Sequence, residues 1–249
     1  MYHFFTETEF FTESEAVITG PDVNHIKNVL RMKPGEQILL SDGKGTNCLC
    51  EITEIESSRV LARILPELVE DTELPVEVTL YQGLPKGDKM EFIIQKCVEL
   101  GVSRIVPVEM ARSVVKLDKK KEEAKRKRWQ GISESAAKQS KRSLVPRVSG
   151  IMTLKEAFDY VESQGFSVRL IPYEHEAGMD GTKTELDAAG PGQDIAVFIG
   201  PEGGFDEREI ELALSKGVRP ISLGRRILRT ETAGLALLSV LMMRLEGAL

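Results

Sequence analysis

The chain has 249 residues, 41% of them apolar, with 33 Lys and Arg against 39 Asp and Glu, a composition that fills one large globular domain or two modest ones. Its three cysteines, Cys48, Cys50 and Cys97, are an odd number and stand at no metal-ligand spacing to His3, His25 or His175, which argues against a disulfide framework or a metal centre. The longest apolar run, residues 236–243, is too short to span a bilayer, and the first residues lack a basic stretch followed by an apolar core, so a cytoplasmic protein is expected.

In chain order, Pro21 and Asp22 open a short helix that carries His25, Arg31 and Lys33. Residues 37–41, 47–55 and 59–65 alternate as strands do, with Ser41-Asp42-Gly43-Lys44-Gly45 as the first turn, and predict a small barrel. The acidic stretch bounded by Pro66 and Pro75 suits a solvated connection, which places one domain at 1–70 and a second at 75–249. From there strands at 76–82, 103–109, 167–172, 195–199 and 219–223 alternate with helices at 88–100, 119–142, 153–164, 206–216 and 231–246. This alternation predicts an α/β domain with a mostly parallel sheet, whose ligands sit beyond the carboxyl ends of the strands.

Two of those strand ends run into loops that carry glycine. Ile199 leads into Gly200-Pro201-Glu202-Gly203-Gly204-Phe205, after which Asp206 and Glu209 have the spacing of a helix-capping pair. Leu223-Gly224-Arg225-Arg226-Ile227-Leu228-Arg229-Thr230-Glu231-Thr232-Ala233 mixes apolar and polar groups, as a ligand with an apolar ring and hydrogen-bonding edges requires. A third end supplies Pro172, Tyr173 and Glu174 and runs into a polar insertion, read either as a lid or as a segment without structure. No Gly-x-x-x-x-Gly-Lys-Ser/Thr or Gly-x-Gly-x-x-Gly pattern occurs, so a phosphate-cradling nucleotide loop is not expected.

The net charge of −6 disfavours a polyanionic partner only if charge is spread evenly, and it is not. Between Arg112 and Arg147 thirteen Lys and Arg face four Asp and Glu, so one segment is basic and the remainder acidic. Lys86, Lys89, Arg112, Gln139 and Arg142, with His25, Arg31 and Lys33, are the candidate RNA-binding residues.

Residues 25–31, 82–89, 112–116, 139–142, 200–205 and 223–233, taken in this order, resemble the RsmE family of ribosomal RNA methyltransferases over nearly the whole chain. The resemblance implies a PUA-like RNA-binding barrel, then a SPOUT-type α/β domain whose chain end forms a trefoil knot, in a homodimer. It implies S-adenosyl-L-methionine as cofactor and methylation at N3 of a uridine, the family's U1498, in 16S ribosomal RNA of the small subunit. Pro172, Ile199, Gly200, Pro201, Gly203, Leu223, Gly224, Ile227, Leu228, Thr232 and Ala233 match its cofactor positions. N3 carries a proton, so Glu231, and less favourably Glu202, are candidate bases, with Arg229 the candidate stabiliser of the uracil anion. Asn24 and His25 stand where the family often has two histidines, which weakens a catalytic role for that pair. The alternatives are a non-catalytic RNA-binding or ribosome-assembly factor, and a knotted methyltransferase with another acceptor.

Overall fold

A computed structural model of the chain describes residues 1–176 and 178–247. Its contacts divide it into two units, Met1–Glu73 with Ala137–Val145, and Leu74–Ala136 with Pro146–Leu249. Residues 137–145 thus group with the first unit and not with the segments that flank them.

The first unit is a half-barrel built on β1 (Tyr2–Phe5), β2 (Glu15–Thr19), β3 (Gln37–Ser41), β4 (Asn47–Ile55) and β5 (Arg59–Ile64), with α1 (Pro21–Asn24) continuing into a wide turn at His25–Val29. The order is β1-β3-β4-β5-β2, with β1 parallel to β3 and the other pairs antiparallel. β3 to β5 follow the expected pattern, and β5 stops one residue short, at Ile64. Ile18, Ile26, Ile38, Leu40 and Ile52 fill the core, each with no exposed surface. A short chain of polar groups runs inside this unit. His3 Nε2 lies 2.7 Å from Ser41 Oγ, which in turn donates to Asn47 Oδ1 at 2.8 Å.

The second unit contains β6 (Glu77–Gly83), α2 (Lys89–Glu99), β7 (Arg104–Glu109), most of α3 (Lys119–Gln139), β8 (Arg147–Val148), β9 (Met152–Thr153), α4 (Leu154–Gln164), β10 (Val168–Pro172), α5 (Asp180–Asp187), β11 (Asp194–Ile199), α6 (Glu207–Ser215), β12 (Arg219–Ile221) and α7 (Thr230–Leu245). The sheet is parallel throughout, in the order β12-β10-β11-β6-β7-β8, with β9 beside β7. Strands covered on both faces read as apolar runs, and Val78, Leu80, Ile195 and Val197 have no exposed surface. Tyr81 stacks on Phe198 at 4.5 Å, and Phe158 of α4 packs beside it. The helix expected over 119–142 ends at Gln139, and the strand expected over 219–223 ends at Ile221. Because β6, β10, β11 and β12 all run the same way, the segments that follow them leave from one edge of the sheet. Among the described residues no helix is long and apolar enough to cross a membrane.

Candidate functional site

The edge is tightly built where β6 meets the loop after β11. A Cβ placed on Gly83 would lie 2.7 Å from the Pro201 nitrogen and 2.8 Å from its Cδ, so the two segments approach to a distance that only glycine permits. Beyond Pro201 the loop turns at Gly204, with φ of 68°, and enters α6 through a capping box in which Asp206 and Glu209 each bond the other's backbone. Gln82, fully buried, donates from Nε2 to Thr230 Oγ1 at 2.9 Å, and Thr230 donates to the Gly200 carbonyl at 2.6 Å. That chain of bonds ties the ends of β6 and β11 to the start of α7.

The insertion after β10 is not structureless. It forms α5, whose buried Thr182 donates to the Ser222 carbonyl at 3.0 Å and accepts from the Ser222 N–H at 2.8 Å. One hydroxyl thus replaces a strand partner for the first residue beyond β12 and fixes where the next loop begins.

These loops enclose a cavity of about 350 Å³. Of the residues expected to hold a cofactor, Pro172, Ile199, Gly200, Pro201, Leu223, Gly224, Ile227, Leu228 and Ala233 line it. Gly203 and Thr232 do not. Gly203 faces Arg112, whose Nη1 donates to its carbonyl at 3.0 Å, and Thr232 is exposed in the first turn of α7. The lining also includes Lys89, Arg225 and Arg226. Lys89 was expected at RNA. The two arginines were missed, and the signal available was their adjacency inside a loop singled out for its glycine and apolar residues.

Charge in the cavity follows from three contacts. Lys89 Nζ lies 3.0 Å from Glu202 Oε1 and 3.4 Å from Glu231 Oε2, one ammonium between two carboxylates. Burial acts to raise the Glu202 pKa, but the Lys89 ammonium and the Lys86 N–H outweigh it, so Glu202 titrates below the usual carboxylate range. A carboxylate so held is a weak base. Glu231 Oε2 is buried, with the Lys89 ammonium 3.4 Å away as its neighbour of opposite charge. Glu202 and Arg229 line the cavity, and Glu231 reaches it through Lys89. Among the described residues no three His, Cys, Asp or Glu side chains are grouped to hold a metal ion.

The remaining candidate RNA residues fall in both units. His25, Arg31, Lys33 and Gln139 are exposed in the first unit, and Lys86 and Arg112 in the second. Arg142 departs from the expectation of an RNA contact. It is 2% exposed and paired with Glu73, so its guanidinium closes the first unit rather than facing solvent.

Comparison with known proteins sets this geometry in a family. The sequence model of the RNA methyltransferase domain matches residues 72–242, and that of the RNA methyltransferase PUA domain matches residues 18–65. Ribosomal RNA small subunit methyltransferase E of Bacillus subtilis is 40% identical over 233 residues, covering 92% of this chain and 90% of that protein. The chain belongs to the ribosomal RNA small subunit methyltransferase E family. The Synechocystis member is 33% identical, covering 93% of this chain and 74% of its own. The crystal structure of the Neisseria gonorrhoeae member bound to S-adenosyl methionine is 38% identical, with a TM-score of 0.84 over 98% of each chain. The fold class expected from the resemblance, an α/β RNA methyltransferase domain after a PUA-like domain, is the one found.

Proposed function

We propose that this chain methylates N3 of a uridine in 16S ribosomal RNA, the family's U1498, within the small ribosomal subunit, with S-adenosyl-L-methionine as methyl donor. The observation that carries the reading is the cavity at the strand ends, lined by the glycine loops after β11 and β12 in a chain that belongs to this family. Its lining suits the cofactor. Pro172, Ile199, Leu223, Leu228 and Ala233 offer an apolar wall for a flat ring, and the loops at 200–204 and 223–229 present backbone groups for its polar edges. When bound, S-adenosylmethionine supplies a methyl group on a sulfonium, and its loss leaves a neutral thioether.

The protein's part is alignment and proton handling. The Gln82-Thr230-Gly200 hydrogen bonds fix the floor of the site, and Thr182 fixes the start of the loop opposite. Uridine N3 must lose its proton as the N3–methyl bond forms. Glu231 is the group proposed to take it, because Lys89 stands farther from it, at 3.4 Å, whereas Glu202 is held ionised by Lys89 at 3.0 Å and by the Lys86 N–H. Arg229, at the cavity and unpaired among the described residues, is proposed to stabilise the uracil oxygens as they gain negative charge.

The same reading includes a trefoil knot at the chain end, a cytoplasmic location and a homodimer. Exposed Phe92 on α2 and Val240 and Met243 on α7, two helices that pack together, favour association of copies, which light scattering would measure. The deciding test is transfer of labelled methyl to small subunits lacking the modification, with mass-spectrometric mapping of the nucleoside. Label in N3-methyluridine is expected; label on a ribose or a guanine would reassign the acceptor, and cofactor binding without transfer would favour the assembly-factor alternative. Glu231→Gln should lower kcat about a hundredfold while leaving cofactor affinity within a few-fold.

A further inference from the structure

The cations around the cavity fall into two kinds. Lys89 is committed to Glu202 and Glu231, and nearby Arg112 to the Gly203 carbonyl at 3.0 Å and to Asp206 at 3.6 Å. Arg225 and Arg226 are different. Both are exposed, both line the cavity, and among the described residues neither enters a hydrogen bond or ion pair. In a chain with 39 acidic residues against 33 basic ones, two adjacent arginines left without a carboxylate at a ligand cavity are a feature to be explained. Between them and Leu228 stands Ile227, which lines the same cavity yet is 84% exposed. A single exposed isoleucine is ordinary on a protein surface. One set beside unpaired guanidinium groups at a cavity matches a partner that is anionic along one edge and apolar on another.

We infer that Arg225 and Arg226 hold the phosphodiester backbone of single-stranded RNA next to the acceptor nucleotide, and that Ile227 lies against a base of that strand rather than covering the cofactor. The inference rests on the methyltransferase reading and extends it by naming how the strand is placed. Guanidinium groups bond phosphate oxygens in pairs, and the three side chains belong to consecutive residues, so backbone and base are engaged by one short loop. A paired helix would bury the base faces that Ile227 needs, which favours an unpaired strand. Elsewhere on the cavity wall, Lys89 with its two carboxylates sums to one negative charge and Glu174 adds another, both repelling phosphate, while Arg229 is the group already assigned to the uracil oxygens. Phosphate is therefore drawn to residues 225 and 226 and turned away from the carboxylates proposed to serve the base.

The full-length protein is titrated with a short uridine-containing single-stranded RNA across a salt series, and separately with S-adenosylmethionine. The Arg225→Ala, Arg226→Ala double variant should lower the magnitude of the slope of log K against log salt by about 1.4, two contacts at about 0.7 each, with cofactor affinity unchanged. Ile227→Ala should leave the slope and the cofactor affinity unchanged and lower kcat/KM for unmodified small subunits about tenfold. An unchanged slope in the double variant overturns the arginine assignment, and a loss of cofactor affinity in Ile227→Ala equal to its loss of transfer returns that side chain to the cofactor. A wild-type protein that binds no S-adenosylmethionine would defeat the methyltransferase reading, while the salt slopes would still decide this one.

Discussion

The two units differ in where they leave charged side chains unpaired. In the first, buried polar side chains are joined to one another, Arg142 to Glu73 and His3 through Ser41 to Asn47. In the second, the core under the sheet is apolar, and charge gathers at one edge, where Arg225, Arg226 and Arg229 stay unpaired among the described residues and Lys89 is shared by two carboxylates. A closed polar group holds a fold together; an open one at a cavity is available to a ligand. The same residue type therefore does different work in the two places, and single substitutions separate them.

The largest contrast is between arginines. Arg142→Ala leaves the Glu73 carboxylate without its partner in a largely buried setting and should destabilise the protein by about 4 kcal/mol, read by urea denaturation. Arg225→Ala at an exposed, unpaired position should change stability by less than about 0.5 kcal/mol. Similar costs at both positions would break the comparison.

Gly83→Ala tests the apolar and steric side of the second unit. The added methyl meets the Pro201 backbone nitrogen at 2.7 Å, where no flexible side chain can give way, so the loop after β11 must shift. A cost of about 2 to 3 kcal/mol and a loss of cofactor affinity of at least tenfold are expected by titration. Unchanged cofactor binding would show that the loop is not held by this approach.

Much of the second unit was legible because its signals are local. Buried parallel strands are apolar runs, and a strand followed by glycines and a capping pair, as at 195–209, is read within fifteen residues of chain. What escaped depended on partners distant in sequence. β1 has four residues and pairs with β3 some thirty-five residues on, and β2 lies at the sheet edge against β5. Arg142 was read as an RNA contact because its partner, Glu73, is 69 residues away. α5 carries Gly181, Thr182 and Thr184 and buries only Thr182 and Leu186, too few apolar positions to show a helical period. At the site, the glycine loops were readable, whereas the selection of Lys89, Arg225 and Arg226 as lining groups required the fold.

Acid sharpens the comparison from the first unit's side. Burial lowers the His3 pKa from 6.5 to about 4, outweighing a hydrogen-bonding contribution from Lys138, and the Lys138 and Lys141 charges add to the lowering. The unfolded chain therefore takes up a proton on this residue at a higher pH than the folded one does. The stability His3 contributes is present above pH 6.5 and is lost as pH falls toward 4, at about 2 kcal/mol between pH 7 and pH 5. His3→Gln should flatten stability across that window. An unaltered pH profile in the variant would mean that other groups control acid lability.

The smallest effect concerns a closed polar contact that serves the open edge. Thr182 exchanges two hydrogen bonds with the backbone of Ser222, immediately before the loop that carries Leu223 to Arg229. Thr182→Val keeps the shape and removes both bonds, leaving buried backbone groups to find water, at about 1 kcal/mol. That loss is modest for the fold, but it falls where the loop is aimed, so KM for S-adenosylmethionine should rise severalfold while kcat changes less. Thr182→Ser, which keeps the hydroxyl, should restore both values. If Thr182→Val lowers the melting temperature and leaves KM unchanged, the contact merely anchors α5, and the loop after β12 takes its position from the Thr230 and Gln82 bonds instead.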